Sequence, residues 1–332
     1  MSYDLTLLTL APSSVWLQAL LLVGAVRVVL WGADWLTDGS VSLAERMGIP
    51  QIVIGLTVVA MGTSMPEFFV SLTSAVNGTP DLAVGNVVGS NTFNTLFIVG
   101  VAAMVAPITI QKVTLRKDMP FALIASTLLL MMCLDREISR LDALAMFILF
   151  IVFMVFTIRG SQGDGPSESG EASASGEPKK TMTPLRALLL VAAGLAALVL
   201  GSNVFVDNAS AIAHSLGVSD AVIGLTIVAC GTSLPELATS VVAARRGNSG
   251  IAIGNVLGSN VFNILMIIGL TGLVSPMTIK GITTADLAVM VVSMMLLWLF
   301  AFTKCRVERW EGLVMAVLFV AYLCHLVSAA IA

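Results

Sequence analysis

Apolar residues fall along this chain in ten long blocks, at about 13–36, 49–76, 81–106, 119–134, 140–158, 184–208, 218–244, 250–275, 284–303 and 308–331. A helix that crosses a bilayer needs about 20 consecutive, mostly apolar residues. The blocks predict ten such helices; the fourth is short, and Gly and Pro interrupt the second and third. Composition agrees: 57% of residues are hydrophobic and 11% are charged, against roughly 25% charged in a soluble domain. A soluble reading, which 332 residues alone would allow, is thereby excluded. The expected fold is an all-α integral membrane protein in a lipid bilayer. One long polar segment, residues 160–183, is rich in Gly, Ser, Glu and Pro and reads as a flexible tether. It divides the chain into 1–159, the linker 160–183, and 184–332. The N-terminus lacks a basic region followed by a short apolar run and a cleavage site, so the first block is expected to be a retained helix.

The two halves are copies. Residues 55–67 (GLTVVAMGTSMPE) and 224–236 (GLTIVACGTSLPE) match at ten of thirteen positions, at an offset of 169. Residues 83–94 (AVGNVVGSNTFN) and 252–263 (AIGNVLGSNVFN) match at nine of twelve, at the same offset. The register holds outward without a gap, pairing Asp38 with Asp207, Pro107 with Pro276 and Arg140 with Arg309. Five blocks per copy is an odd number, so the second copy must enter the membrane upside down. Lys and Arg accumulate on the cytoplasmic side. With both termini outside and 160–183 cytoplasmic, the inner loops hold 13 basic residues and the outer loops three, with Arg27 inside the first block. Equivalent loops diverge accordingly: basic QKVTLRKD at 111–118 becomes KGITTADL, and Val76 and Asn77 become Arg245 and Arg246. Inverted repeats with a site at their interface are a transporter architecture.

Candidate chemistry centres on Glu67 and Glu236, each deep in an apolar block. A charge at the centre of a membrane helix costs roughly 2.5–3.5 kcal/mol, and these blocks hold no basic residue at matching depth. Cations, protons or a water-filled cavity must offset that cost, and cations suit it best. Pro66 and Pro235 crowd the carbonyls of Gly62 and Gly231; a freed carbonyl in a membrane must be satisfied. Thr63 shares a helix face with Glu67, with Ala60 and Ser64 adjoining; Thr232, Ala229 and Ser233 repeat this around Glu236. Asn86, Ser90 and Asn94 form a polar stripe matched by Asn255, Ser259 and Asn263. The paired glycines 85/89 and 254/258 allow close helix approach. Carboxylates, amides, hydroxyls and carbonyls suit hard cations such as Ca²⁺, which takes about 6–8 oxygens.

Singly, these features are commonplace: a spaced glycine pair packs helices, a lone Ser or Thr bonds to its own backbone, a lone Pro kinks. Their joint recurrence in two copies is what points to a site. Asp34, Asp38 and Asp207 lie near predicted helix ends and read as solvated caps. Cys133, Cys230, Cys305 and Cys324 lie scattered in apolar runs without a CxxC pair, and His214 and His325 read as interfacial or core. A net charge of −3 without a basic, aromatic-interleaved patch gives no reason to expect a nucleic-acid partner.

At GTSMPE and GTSLPE, followed by GNVVGSNTFN and GNVLGSNVFN, the sequence resembles the sodium/calcium exchanger family. The resemblance implies a midplane site between the second, third, seventh and eighth helices. In it Glu67 and Glu236 would be the shared carboxylates for Ca²⁺ and Na⁺. Thr63, Ser64, Thr232 and Ser233 would line the ion sites, Ala60 and Ala229 would offer carbonyls, and Ser90, Asn94, Ser259 and Asn263 would complete them. It also implies that the first and sixth helices slide past the core. Some members carry Asp where this chain has Asn94 or Asn263, potassium-dependent relatives among them, so two Asn argue against potassium coupling. The linker is too short for the calcium-sensing domains of larger relatives. The expected function is antiport of Na⁺ for Ca²⁺ by a monomer in a prokaryotic inner membrane, with no cofactor. Proton/calcium antiport and a passive cation channel are the alternatives. An enzyme is disfavoured, because no HExxH, paired catalytic Asp or Ser–His arrangement is present.

Overall fold

A computed structural model of the protein describes residues 14–160, 182–217, 227 and 229–331. The 160–183 tether and the start of the seventh block therefore lie largely outside the described residues. The described chain is mainly helical. Seven of its helices are long and apolar enough to cross a membrane: α1 (Val15–Met47), α4 (Pro80–Val105), α7 (Arg140–Arg159), α8 (Pro184–Ser215), α11 (Ser249–Val274), α12 (Thr284–Lys304) and α13 (Arg309–Ser328). An eighth candidate is a pair, α2 (Gln51–Thr63) and α3 (Met65–Val76), bent by 48°. Between these lie α5 (Lys112–Arg116), α6 (Asp118–Met132), α9 (Ala229–Thr232) and α10 (Leu234–Arg245). At 15 residues, α6 is roughly 22 Å long, short of a hydrocarbon core of about 30 Å.

Burial sorts the helices into layers. In their most apolar windows α4 is 78% and α11 94% buried, against 22–33% for the other five long helices. These two form the centre, and the rest wrap it and face outward with residues such as Leu141, Phe156, Leu188, Leu299 and Phe302. Exposed apolar residues on every outer helix are what a lipid-facing surface requires.

α1 and α8 pack along their length through glycine. A Cβ on Gly32 would lie 2.9 Å from the carbonyl of Gly194, and one on Gly39 would lie 2.7 Å from that of Ala187. No side chain fits there, so the two backbones meet directly. α1 runs eleven residues beyond its predicted end at 36, to Met47. The extension was illegible as a span because its buried positions are small and polar (Thr37, Gly39, Ser40, Ser42), yet they pack as a helix face. Asp34 and Asp38 are thus inside a helix rather than capping it, and both pair with Arg246 at the end of α10. α8 likewise continues past 208 to Ser215. Arg27 is exposed and lies 5.0 Å over the ring of Trp31, a cation–π contact.

Among the described residues, four two-residue strands tie the halves together. β1 (Ile108–Thr109) pairs antiparallel with β4 (Arg306–Val307), and β2 (Glu137–Ile138) with β3 (Met277–Thr278). β3 stands 169 residues after β1, and β4 the same distance after β2. Each strand therefore pairs with the copy of the other strand, a reciprocal exchange.

Candidate functional site

Both glutamates sit just after a break in the chain. Ser64 leaves helical geometry at φ −84°, ψ 10°, and Ser233 does so at φ −92°, ψ 12°. Pro66 and Pro235 stand in the first turn of the helices that follow, where a missing N–H costs nothing. The sequence reading put these prolines inside a kinked helix; they start a new one instead. Glu67 and Glu236 consequently occupy the first turns of α3 and α10, where the helix dipole favours a negative group.

The two carboxylates are buried, at 0% and 1% exposure, and each is served by the other half. Ser233 donates to Glu67 Oε1 at 2.7 Å, and Ser64 donates to Glu236 Oε1 at 2.8 Å. Ser233 also approaches Ser90 at 3.3 Å, which brings α4 into the site. Asn86 donates to the backbone carbonyl of Glu67 at 3.1 Å and to Ser71 at 2.9 Å; Asn255 repeats this with Glu236 at 3.2 Å and Ser240 at 3.0 Å. Thr63 donates to Asn255 Oδ1 at 3.1 Å. The carbonyl of Ala60 accepts from the Ser64 N–H at 3.1 Å and from the Thr63 hydroxyl at 3.3 Å. Ala229 opens α9 and Thr232, half-buried, closes it.

Several buried oxygens in this region have no hydrogen-bond partner: Glu67 Oε2, Glu236 Oε2, Asn94 Oδ1, Asn263 Oδ1 and Ser259 Oγ. Buried polar atoms are normally satisfied, and of these oxygens the two on Glu67 and Glu236 are the ones whose charge calls for a positive counterpart. Among the described residues no group of three or more His, Cys, Asp or Glu is assembled. Among the described residues the donors here are two carboxylates and neutral oxygens, the chemistry of a hard cation. Hydrogen bonds thus join Glu67, Glu236, Ser64, Ser233, Ser90, Thr63, Asn86 and Asn255 across the two halves.

Sequence reasoning missed Asn91 and Asn260. Both are buried, and both bond to singled-out residues: Asn94 donates to Asn260 at 3.2 Å and Asn263 donates to Asn91 at 3.0 Å. They lie off the every-fourth-residue stripe of Asn86, Ser90 and Asn94 and were passed over for that reason. Their shared place in both GSN triplets was the available signal.

A bundle of apolar helices around a buried, doubly acidic and otherwise neutral oxygen cluster defines a membrane protein built to handle cations. The profile described as "Sodium/calcium exchanger protein" matches residues 17–159 and 186–328, and the chain belongs to that family. It is 36% identical to inner membrane protein YrbG of Escherichia coli, over 78% of this chain and 80% of that protein. It is 33% identical to the sodium/calcium exchanger MaX1 of Methanosarcina acetivorans, over 92% and 96% of the two chains. Among solved structures it is similar to the sodium-calcium exchanger NCX_Mj, with a TM-score of 0.82 at 30% identity, covering 94% of this chain and all of that one.

Proposed function

We propose that this protein is a secondary antiporter that exchanges Na⁺ for Ca²⁺ by alternating access. The observation that carries this reading is the pair of buried glutamates, each hydrogen-bonded by the other half's serine on one oxygen and unpartnered on the other. The five unpartnered oxygens, with the remaining lone pairs of the two Oε1 atoms, supply a set in the range of about 6–8 that Ca²⁺ takes. Ionised together, the glutamates are neutralised by one Ca²⁺ or by two Na⁺, and any further Na⁺ would make the exchange electrogenic. A half-filled site keeps a net charge and resists closing over, which favours exchange over leak. The ions are cargo, and no resident cofactor enters the scheme. We place the ion ligands at Glu67, Glu236, Thr63, Thr232, Ser64, Ser233, Ser90, Ser259, Asn94 and Asn263, with carbonyls from Ala60 and Ala229.

We read the membrane topology as ten spans in two inverted five-helix repeats, acting as a monomer in an inner membrane. The strand pairing supports it: residues 108–109 join 306–307, both on the basic side, and 137–138 join 277–278, both on the opposite side. Arg46, assigned to the cytoplasmic side, donates to the carbonyl of Met182 beside the linker. Both termini then lie outside and 160–183 faces the cytoplasm.

The test is flux of radiolabelled Ca²⁺ in proteoliposomes carrying an imposed Na⁺ gradient or, in a parallel arm, an imposed pH gradient. Wild type should respond to Na⁺ and not to pH. Glu67→Ala and Glu236→Ala should each abolish the flux while leaving a monodisperse protein. Unimpaired Na⁺-dependent flux in either variant would overturn the assignment.

A further inference from the structure

Asn94 and Asn263 each carry an oxygen and an NH₂ at the end of the same side chain, and only the oxygen can help a cation. Which end faces the site is decided by what holds the other. In both cases the NH₂ is held, and the oxygen is the unpartnered atom.

The holding groups form a chain across the two halves. Asn91 Nδ2 donates to the backbone carbonyl of Asn260 at 3.1 Å. A backbone carbonyl can only accept, so the amide of Asn91 has one workable orientation, with its Oδ1 turned the other way. That oxygen accepts from Asn263 Nδ2 at 3.0 Å. Turning Asn263 around would set two oxygens against each other and leave its NH₂ without an acceptor. The other half makes the same contacts with a hydroxyl as anchor, which accepts here but, unlike a carbonyl, can also donate. Asn260 Nδ2 donates to the hydroxyl of Thr95 at 2.7 Å, and Asn260 Oδ1 accepts from Asn94 Nδ2 at 3.2 Å. All five residues are buried, none more than 2% exposed, so water does not compete for these groups.

We infer that Asn91 and Asn260 are positioning residues, Asn91 locking the amide of Asn263 and Asn260 holding that of Asn94, each with its oxygen toward the ion. They touch no ion themselves. Their effect is to add two ligand oxygens without adding charge, so the centre keeps only the two negative charges of Glu67 and Glu236. A carboxylate at 94 or 263 would supply an oxygen whichever way it turned; an amide does so only if its NH₂ is tied back. The inference rests on the ion site proposed above.

The experiment is a double-mutant cycle read as the Ca²⁺ concentration for half-maximal exchange. Asn91→Ala should raise that value about tenfold in the native background, as expected when an interaction with a charged group is lost. In the Asn263→Asp background the same change should cost less than twofold, because no amide remains to orient. An equal loss in both backgrounds would reveal a packing role and overturn the inference, as would no loss in either. Asn260→Ala with Asn94→Asp forms a second cycle with the same expectations, and decides the matter if Asn91→Ala is not recovered as folded protein. Glu67→Ala and Glu236→Ala, assayed alongside, separate the two levels. Exchange that survives them sinks the site itself. Exchange lost in them but insensitive to Asn91 and Asn260 sinks only the orienting role.

Discussion

Gly194→Ala is the sharpest test of how α1 and α8 are held together. A Cβ at 194 would stand 2.6 Å from the backbone nitrogen of Leu36, 2.8 Å from the carbonyl of Gly32 and 2.9 Å from Leu36 Cβ. Ordinary contact begins near 3.4 Å, so the helices would have to part by roughly 0.8 Å, and the obstacles are mainly backbone that cannot rotate away. Overpacking of this kind costs about 1–3 kcal/mol. Against it stands the better helix propensity of alanine, worth up to about 1 kcal/mol. The clash wins, and we expect a net loss of roughly 1–2 kcal/mol. Gly24→Ala, in the same helix pair, is the control: nothing lies within 4 Å of its Cβ, so only the propensity gain applies. Thermal unfolding of the purified protein in detergent should show Gly194→Ala melting several degrees below Gly24→Ala. Because the Gly32 carbonyl is itself an obstacle at 194, Gly32→Ala and Gly194→Ala together should cost less than their separate effects combined. Equal melting temperatures for the 194 and 24 variants would refute the glycine-contact argument.

Three further outcomes follow from other contacts. Ser64→Ala and Ser233→Ala each remove one hydroxyl from a buried carboxylate; each should weaken Ca²⁺ affinity by about tenfold or more, and effects differing by over tenfold would contradict the reciprocity. Arg246→Ala breaks the pairs with Asp34 and Asp38, whose side chains are 39% and 46% exposed. It should cost no more than about 1 kcal/mol for each pair, and the difference from wild type should fade in 1 M salt, where the Debye length falls to about 3 Å. Trp298→Phe loses the bond from the indole N–H to the carbonyl of Leu115 at 3.0 Å. It should lower stability by roughly 0.5–1.5 kcal/mol, seen as a lower melting temperature with exchange retained.

Apolar length marked the long helices in the sequence, because lipid demands it, and the duplicated motifs marked the acidic centre. What the sequence could not show was contact between copies. That Ser64 serves Glu236 and not its neighbour Glu67 depends on how α2 and α10 meet, and no spacing rule reaches across 172 residues. The helical run of 37–47 hid behind small polar residues, whose burial comes from neighbouring helices such as α8. The pairing of Asn91 with Asn263 was hidden for a related reason: helical periodicity groups residues on one helix, whereas this bond joins two.

The exchange of serines between halves bears on how the polypeptide can be divided. A half made alone holds an acid without its hydroxyl, so two halves produced as separate polypeptides should regain transport only on co-assembly. Two copies of the first half, related by a two-fold axis, would carry every group the reciprocal pairing needs, Ser64 of each facing Glu67 of its twin. Fusion into one polypeptide removes the obligation to stay identical. Thr95, which anchors Asn260, already has isoleucine as its counterpart at position 264, and so the two sides are free to specialise.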